Sequence, residues 1–434
     1  MLSDLLYLSV LFVIFTTGLT RPHIALMGVV WVDVFKPHNF SSGFLATAPL
    51  SMICALFFLF SFFINSNKLS KDFNKTPLVM VILFMIWITI TTTNSAFQNV
   101  AWEKWDWAFK TLLITCFFPF VLNSLNKLNL FIGIWLSSIS YYFITAGIKT
   151  ALGGGGYGIY LIDAAKDKSG LVESSTLSMI AAFCCALLIY TYRNAAYVKT
   201  IPFFRYILLG LGMSAILTII GTQARTGLVS LATFFGNAVM LSKNKIRNFL
   251  AIFCIILIAI PFAPDSWFNR MSTLQDTKKE SSAHGRIVVW RWTVDFANQR
   301  PILGGGFLAY IHNAGQLKNY SKQDEVLIDN PYGKAFHNAF FEVLGEQGYI
   351  GLLIYLSFVY LTWKNSQTLI KNSTINNWDY ELGIALKITL YVYCVGAMFI
   401  GIAYQIWLPY LLMISTSACA IAKKGKGDAS PELT

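Results

Sequence analysis

Apolar runs of membrane length recur from one end of this chain to the other, and most polar segments between them are short. Two runs open it, at about 5–20 and 23–35, separated by Thr20-Arg21-Pro22-His23. A full crossing takes about 20 residues, so the second is short; the pair reads as two tilted spans or as a broken pair that does not fully cross. Further runs fall at about 45–64, 77–93, 108–122, 128–148, 174–191, 204–222, 228–241, 249–263, 350–363, 382–402 and 405–422. The pattern predicts an all-α polytopic membrane protein of about twelve or thirteen transmembrane helices. One long stretch, 264–349, has no such run and reads as a helical, water-facing cap. The expected organisation is therefore an N-terminal transmembrane region over 1–200, further helices over 201–263, the large loop 264–349, C-terminal helices over 350–422 and a tail over 423–434.

Composition agrees: 56% of residues are hydrophobic and 12% charged, against about 25% charged in soluble domains. The net charge of +12 would fit a nucleic-acid binder if it were clustered on a polar domain. It lies instead in short connections such as NSNKLSKDFNK, YRNAAYVKTIPFFR and SKNKIRN, the placement that sets orientation in a membrane. Those connections are expected in the cytoplasm. Counting crossings from them puts 149–173, Arg225 and 264–349 on the opposite side. The seven cysteines all lie in apolar runs and read as small buried hydrophobes. Trp102, Trp105 and Trp107, interleaved with Glu103, Lys104 and Asp106, read as an interfacial belt.

Candidate chemistry is sparse. Arg225 sits in Gly221-Thr222-Gln223-Ala224-Arg225-Thr226-Gly227, between two apolar runs. An arginine at membrane depth costs at least about 2.5 kcal/mol and tends to be functional, or else it snorkels to the headgroups. The flanking glycines would let a ligand approach the backbone. In the cap, Ser281 or Ser282 can cap a helix from about Gly285 to Asn298, with Arg286, Trp290, Thr293 and Ala297 on one face and Arg291 off it. Arg286 would then lie in the first turn, where a helix already favours anions. Pro301-Ile302-Leu303-Gly304-Gly305-Gly306-Phe307 is either a turn whose amides line a phosphate or sugar, or a plain link. His337-Asn338 opens a helical pattern feeding the run at 350, and an imidazole there is suited to take a proton from a hydroxyl. His284 and His312 compete with it. The glycines at 153–156 lack a following Lys-Ser/Thr and read as a hinge beside a polar loop bearing Asp163, Lys166, Asp167 and Lys168. Asp324, Glu325 and Asp329 read as a solvated charge run, and no metal site is expected.

Taken together, Ala224-Arg225-Thr226-Gly227, Arg286 with Trp290, Pro301 with Gly304 and Gly306, and His337-Asn338 with Glu346, Gly348 and Gly351 resemble the O-antigen ligase superfamily of bacterial inner-membrane glycan transferases. The likeness spans about 200–415. The front, with Arg21-Pro22-His23 and Lys36-Pro37-His38, is similar to ligases associated with exosortase systems. The resemblance implies a helical C-type glycosyltransferase, working at the periplasmic face of the inner membrane without cofactor or metal. The implied donor is a glycan on undecaprenyl pyrophosphate. The acceptor is a hydroxyl on a glycolipid, a glycan or a protein Ser or Thr, and no nucleic-acid partner is implied. It assigns pyrophosphate binding to Arg225 and Arg286, with Arg291 as an auxiliary, the base role to His337, and supporting roles to Asn338, Gly304, Gly306 and Trp290.

Three rivals share these features. A polymerase of the same superfamily would carry arginine motifs in two outer loops, yet 149–173 has lysines and no arginine. A protein O-oligosaccharyltransferase uses the same chemistry. A transporter or flippase would show ionisable residues along a path or paired broken helices; charges in the apolar runs are few, Lys387 among them, with Arg225 between two runs, and no repeat is apparent.

Overall fold

A computed structural model of the chain describes residues 2–41, 43–156, 161–162, 171–242, 244–259, 281–320 and 332–427, and among them there is no strand. The front of the chain forms α1 (Leu2–Gly18), α2 (Pro22–Phe35), α3 (Leu50–Ile64), α4 (Thr76–Thr93), α5 (Gln98–Thr115), the short α6 (Phe118–Val121), α7 (Leu125–Ala151) and α8 (Ser174–Asn194). After the short α9 (Ala196–Thr200) come α10 (Phe203–Thr222), α11 (Arg225–Met240) and α12 (Lys245–Ala259). The cap contributes α13 (Ser281–Gln299), and the chain closes with α14 (Ala339–Lys371), α15 (Trp378–Ala397) and α16 (Trp407–Gly427).

Six described helices (α4, α7, α8, α10, α14 and α15) are long and apolar enough to cross a membrane, and α1, α2 and α3 are apolar but shorter. The chain is an all-α polytopic membrane protein. Fewer helices qualify than the twelve or thirteen expected. Among the rest, α11 and α12 are 16 and 15 residues long, and α5 starts ten residues before the run expected at 108–122, taking Glu103, Lys104 and Asp106 into its body. The tryptophan belt is thus helical, and Lys104 on it turns inward. At α3, Pro49 sets the start five residues later than the pattern implied.

The bundle packs around α14, which contacts α4, α15 and α16, while α8 lies among α10, α11 and α15. Glycines do close-packing work here. A side chain on Gly221 would strike Thr150 of α7, and one on Gly227 would strike Ser178 of α8. These glycines serve helix contact, rather than the ligand approach expected of them. Likewise Gly156 N–H donates to Gly221 O at 3.0 Å, and Gly155 at φ +116° abuts the same carbonyl, so this end of the glycine run is docked rather than a hinge. Six of the seven cysteines are buried or half-buried, but Cys254 lies on the outer surface of α12. Asp163, Lys166, Asp167, Lys168, Asp324, Glu325 and Asp329 fall outside the described residues, as do 264–280 of the cap.

The cap has its own small core of Val288, Val289, Trp292, Phe296, Ala309, Leu317 and Phe336, each large side chain worth roughly 1.5–3 kcal/mol when buried. It is pinned to α14 where that helix breaks. Gly348 has φ +67° inside the helix, which frees backbone groups that must find other partners. Gln347 O accepts from Trp87 Nε1 at 2.9 Å, and Tyr349 N–H donates to Pro301 O at 2.9 Å. Gly305 and Gly306 N–H donate to Gly345 O and Glu346 O at 2.9 and 2.8 Å. The Pro301–Phe307 turn is therefore a clamp on the α14 break: two of its amides are spent on protein carbonyls, and a side chain on Gly304 would strike Gly348 N.

Candidate functional site

The segment 332–338 carries the site. Asn313, fully buried, holds it from beneath: its Oδ1 accepts from Lys334 N–H and its Nδ2 donates to Lys334 O, both at 2.8 Å. Trp290 of α13 donates from Nε1 to Phe336 O at 2.8 Å and stacks on Phe341 at 5.3 Å. At the far end Asn338 caps α14, its Oδ1 accepting from Phe340 and Phe341 N–H at 2.9 and 3.2 Å, while its Nδ2 donates to Met398 O at 3.0 Å. His337 is held between these anchors with φ +47°, a left-handed conformation that His tolerates better than most residues. Such outliers concentrate at functional sites.

The His337 ring opens into a cavity of about 570 Å³ whose lining includes Lys104, Glu173, Thr176, Phe336, Glu342 and Gln405. The ring is exposed in area, but it faces this cavity, where surrounding protein displaces bulk water. That partial desolvation lowers its pKa, the positive charges of Arg286 and Lys334 lower it further, and Glu173 and Glu342 oppose them. The imidazole is thereby kept neutral. Lys334 is lowered too, by burial and by Arg286, and its ammonium sits against Gly285 of α13. Arg286, Lys334 and His337 thus form one electropositive corner.

Arg286 differs in detail from expectation. The described helix already includes Ser281 and Ser282, which puts Arg286 beyond its first turn. The field of a helix end fades within its first turn, so Arg286 acts through its own charge. Arg225 is the first residue of α11 and follows Gln223, which lies in the left-handed region at φ +51°. Arg225 is half-buried. It stands beside the first turns of α8, because Gly227 abuts Ser178 and Thr176 lines the cavity. Arg286 is thus near enough to His337 to lower its pKa, Arg225 is tied to the cavity wall only through α8, and neither arginine is among the described residues that line the cavity. Arg291 is exposed on the opposite face of α13. Of the competing histidines, His312 is wedged between Phe97 and Phe296 at 4.9 and 5.2 Å, and half-buried His284 lies on α13.

The cavity floor holds a feature that sequence reading missed. Lys104 Nζ lies 2.7 Å from Glu342 Oε1 and 2.8 Å from Glu346 Oε1, with its charge 4.8 Å from the Tyr404 ring centroid. Glu346 Oε1 also accepts from Leu308 N–H at 2.9 Å, and Glu342 Oε2 from Ala403 N–H at 3.2 Å. One lysine and two glutamates thus tie α5, the glycine turn, α14 and the α15–α16 connection together. Lys104 was hidden among belt tryptophans. Its one available signal was an ammonium in an aromatic stretch with two glutamates four apart elsewhere. Lys334 was missed because nothing local marks it.

Comparison with known proteins divides the chain in two. Residues 2–196, whose front was expected to resemble ligases associated with exosortase systems, match a Family of unknown function (DUF5935). Residues 207–356 match the family model described as O-Antigen ligase. No curated protein matches the chain. The second match supports the O-antigen ligase superfamily and, with it, a ligase- or polymerase-like membrane glycan enzyme.

Proposed function

We propose that this protein transfers a glycan from undecaprenyl pyrophosphate to an acceptor hydroxyl at the periplasmic face of the bacterial inner membrane. The observation that carries the reading is His337 on the wall of a cavity lined from both the cap and the bundle, its pKa lowered in part by the charge of Arg286. In the proposed step His337 takes the proton from the acceptor hydroxyl as its oxygen bonds to the anomeric carbon. The carbon–oxygen bond to pyrophosphate breaks, its electron pair leaves with the diphosphate, and the sugar carbon inverts. Arg286 and Arg225 receive the diphosphate charge through bidentate contacts that a guanidinium makes well. A leaving group held this way needs no general acid. Asn338, Trp290 and Asn313 position the base, while Gly304 and Gly306 shape the clamp behind it.

The test is transfer in vitro, using purified protein, a polyprenyl-pyrophosphate-linked glycan and hydroxyl acceptors, read by mass analysis. One glycan unit added to a distinct acceptor supports a ligase. Extension of the glycan itself turns the assignment to a polymerase. Passage of the donor across a vesicle membrane without any new glycosidic bond would defeat the reading in favour of transport.

A further inference from the structure

At the other end of the bundle a second cavity of about 180 Å³ is walled by Arg21, His23, Lys68 and Lys127, with Thr20 at its rim. Its remaining described lining is apolar, and none of it is acidic. It is far from the candidate site. The part of α4 from Thr76 to Thr91, about 23 Å of helix, separates the basic connection before Thr76 from the Thr91 side chain, which contacts Gln347. Similarly α7 runs from Lys127 at this end to Thr150 beside Gly221.

Three separate elements bring the cations Arg21, Lys68 and Lys127 together with the imidazole of His23. Arg21 and His23 come from the start of α2, Lys68 from the turn after α3, and Lys127 from the first turn of α7. The helices α2 and α7 pack on each other, and the first turns of both line the cavity, so two positive helix ends add to the side-chain charge. The turns are fixed around it. Lys68 Nζ donates to Thr20 O and Asn65 Oδ1 at 2.8 and 3.0 Å, and Asn123 Nδ2 donates to Lys68 O at 3.1 Å. Lys127 Nζ donates to Asn123 Oδ1 at 2.7 Å, which leaves two of its three protons for a ligand. A concave site with this much positive charge and no carboxylate is matched by a compact polyanion.

We propose that this cavity binds a phosphate group, supplied by the headgroup of an anionic phospholipid or by a free phosphate. The apolar surface beside it favours the lipid: Phe60, Phe63 and Ile64 on the last turns of α3 are all more than half exposed, and basic pockets between membrane helices bind such headgroups.

The full-length protein, purified in detergent and depleted of lipid, would be titrated with phosphatidylglycerol, with phosphatidylcholine and, in a separate arm, with inorganic phosphate. Native mass spectrometry would count retained lipid, and thermal unfolding would report phosphate. The wild-type chain should hold phosphatidylglycerol in excess over phosphatidylcholine. The double variant Arg21→Gln/Lys127→Gln should weaken that binding about thirtyfold, the effect of two surface cations. Arg21→Lys/Lys127→Arg should retain it, and so should Lys71→Gln, which alters the same basic connection outside the cavity. Stabilisation by inorganic phosphate that the double variant loses, without lipid preference, would assign the site to free phosphate. Equal lipid retention by the wild-type chain and the double variant, with no phosphate response, would overturn the proposal.

Discussion

Lys104 and Glu346 meet at 2.8 Å across 242 residues of sequence, and Glu346 is completely buried. The pair joins the segment matching a family of unknown function to the segment matching O-Antigen ligase. Removing the lysine would strand two carboxylates in the interior. Lys104→Met should cost about 3–5 kcal/mol, seen as a lower unfolding temperature in detergent. Lys104→Met/Glu342→Gln/Glu346→Gln should recover much of that loss. Unchanged thermal stability in Lys104→Met would show that the bridge contributes nothing to the fold.

The acid limb of activity should fall below the ordinary imidazole value of about 6.5, since the pKa of His337 is lowered and its base form persists into mildly acidic solution. Lys334→Gln removes one of the charges that lower it. Its acid limb should therefore move toward higher pH while transfer persists at pH 8. A pH profile that overlays the wild-type curve would remove Lys334 from the electrostatics of the base.

His337→Ala should reduce transfer by at least about 100-fold, the low end for losing a general base. Arg225→Ala and Arg286→Ala should abolish it through the donor. All three variants should insert and purify as the wild-type protein does. Normal turnover by any one of them in the reconstituted assay would strike that residue from the mechanism.

Asn313→Ala would leave the Lys334 N–H and C=O without their buried partner, at about 1–3 kcal/mol for each unsatisfied group. Because the segment it holds ends at His337, the expected signature is a lower kcat with little change in KM and earlier proteolysis between 332 and 337. A variant that loses only thermal stability would reduce Asn313 to a structural role.

The sequence made the architecture legible wherever one physical rule dominated. Apolar length marked α4, α7, α8, α10 and α15, and the change at His337-Asn338 from polar to helical pattern marked the start of α14. Where two rules competed, reading went astray. Polar and aromatic residues at 98–107 looked interfacial because helix burial of Lys104 depends on Glu342 and Glu346, which no local pattern connects to it. Pro301–Phe307 looked open because its amides bond to carbonyls freed by Gly348, about forty residues on. Arg286 and His337 were recognisable by chemical type, but the clamp from Asn313 belongs to tertiary structure alone.

The break at Gly348 makes α14 an elbow between two environments. One arm begins at Asn338 beneath the cap, and the other continues through the apolar bundle to Lys371. Their angle is fixed by the left-handed residue and by the Pro301 and Trp87 contacts around it. A change in bilayer thickness that tilted the arm in the bundle would load these contacts and the segment that ends at His337, so turnover should respond to the acyl-chain length of the surrounding lipid.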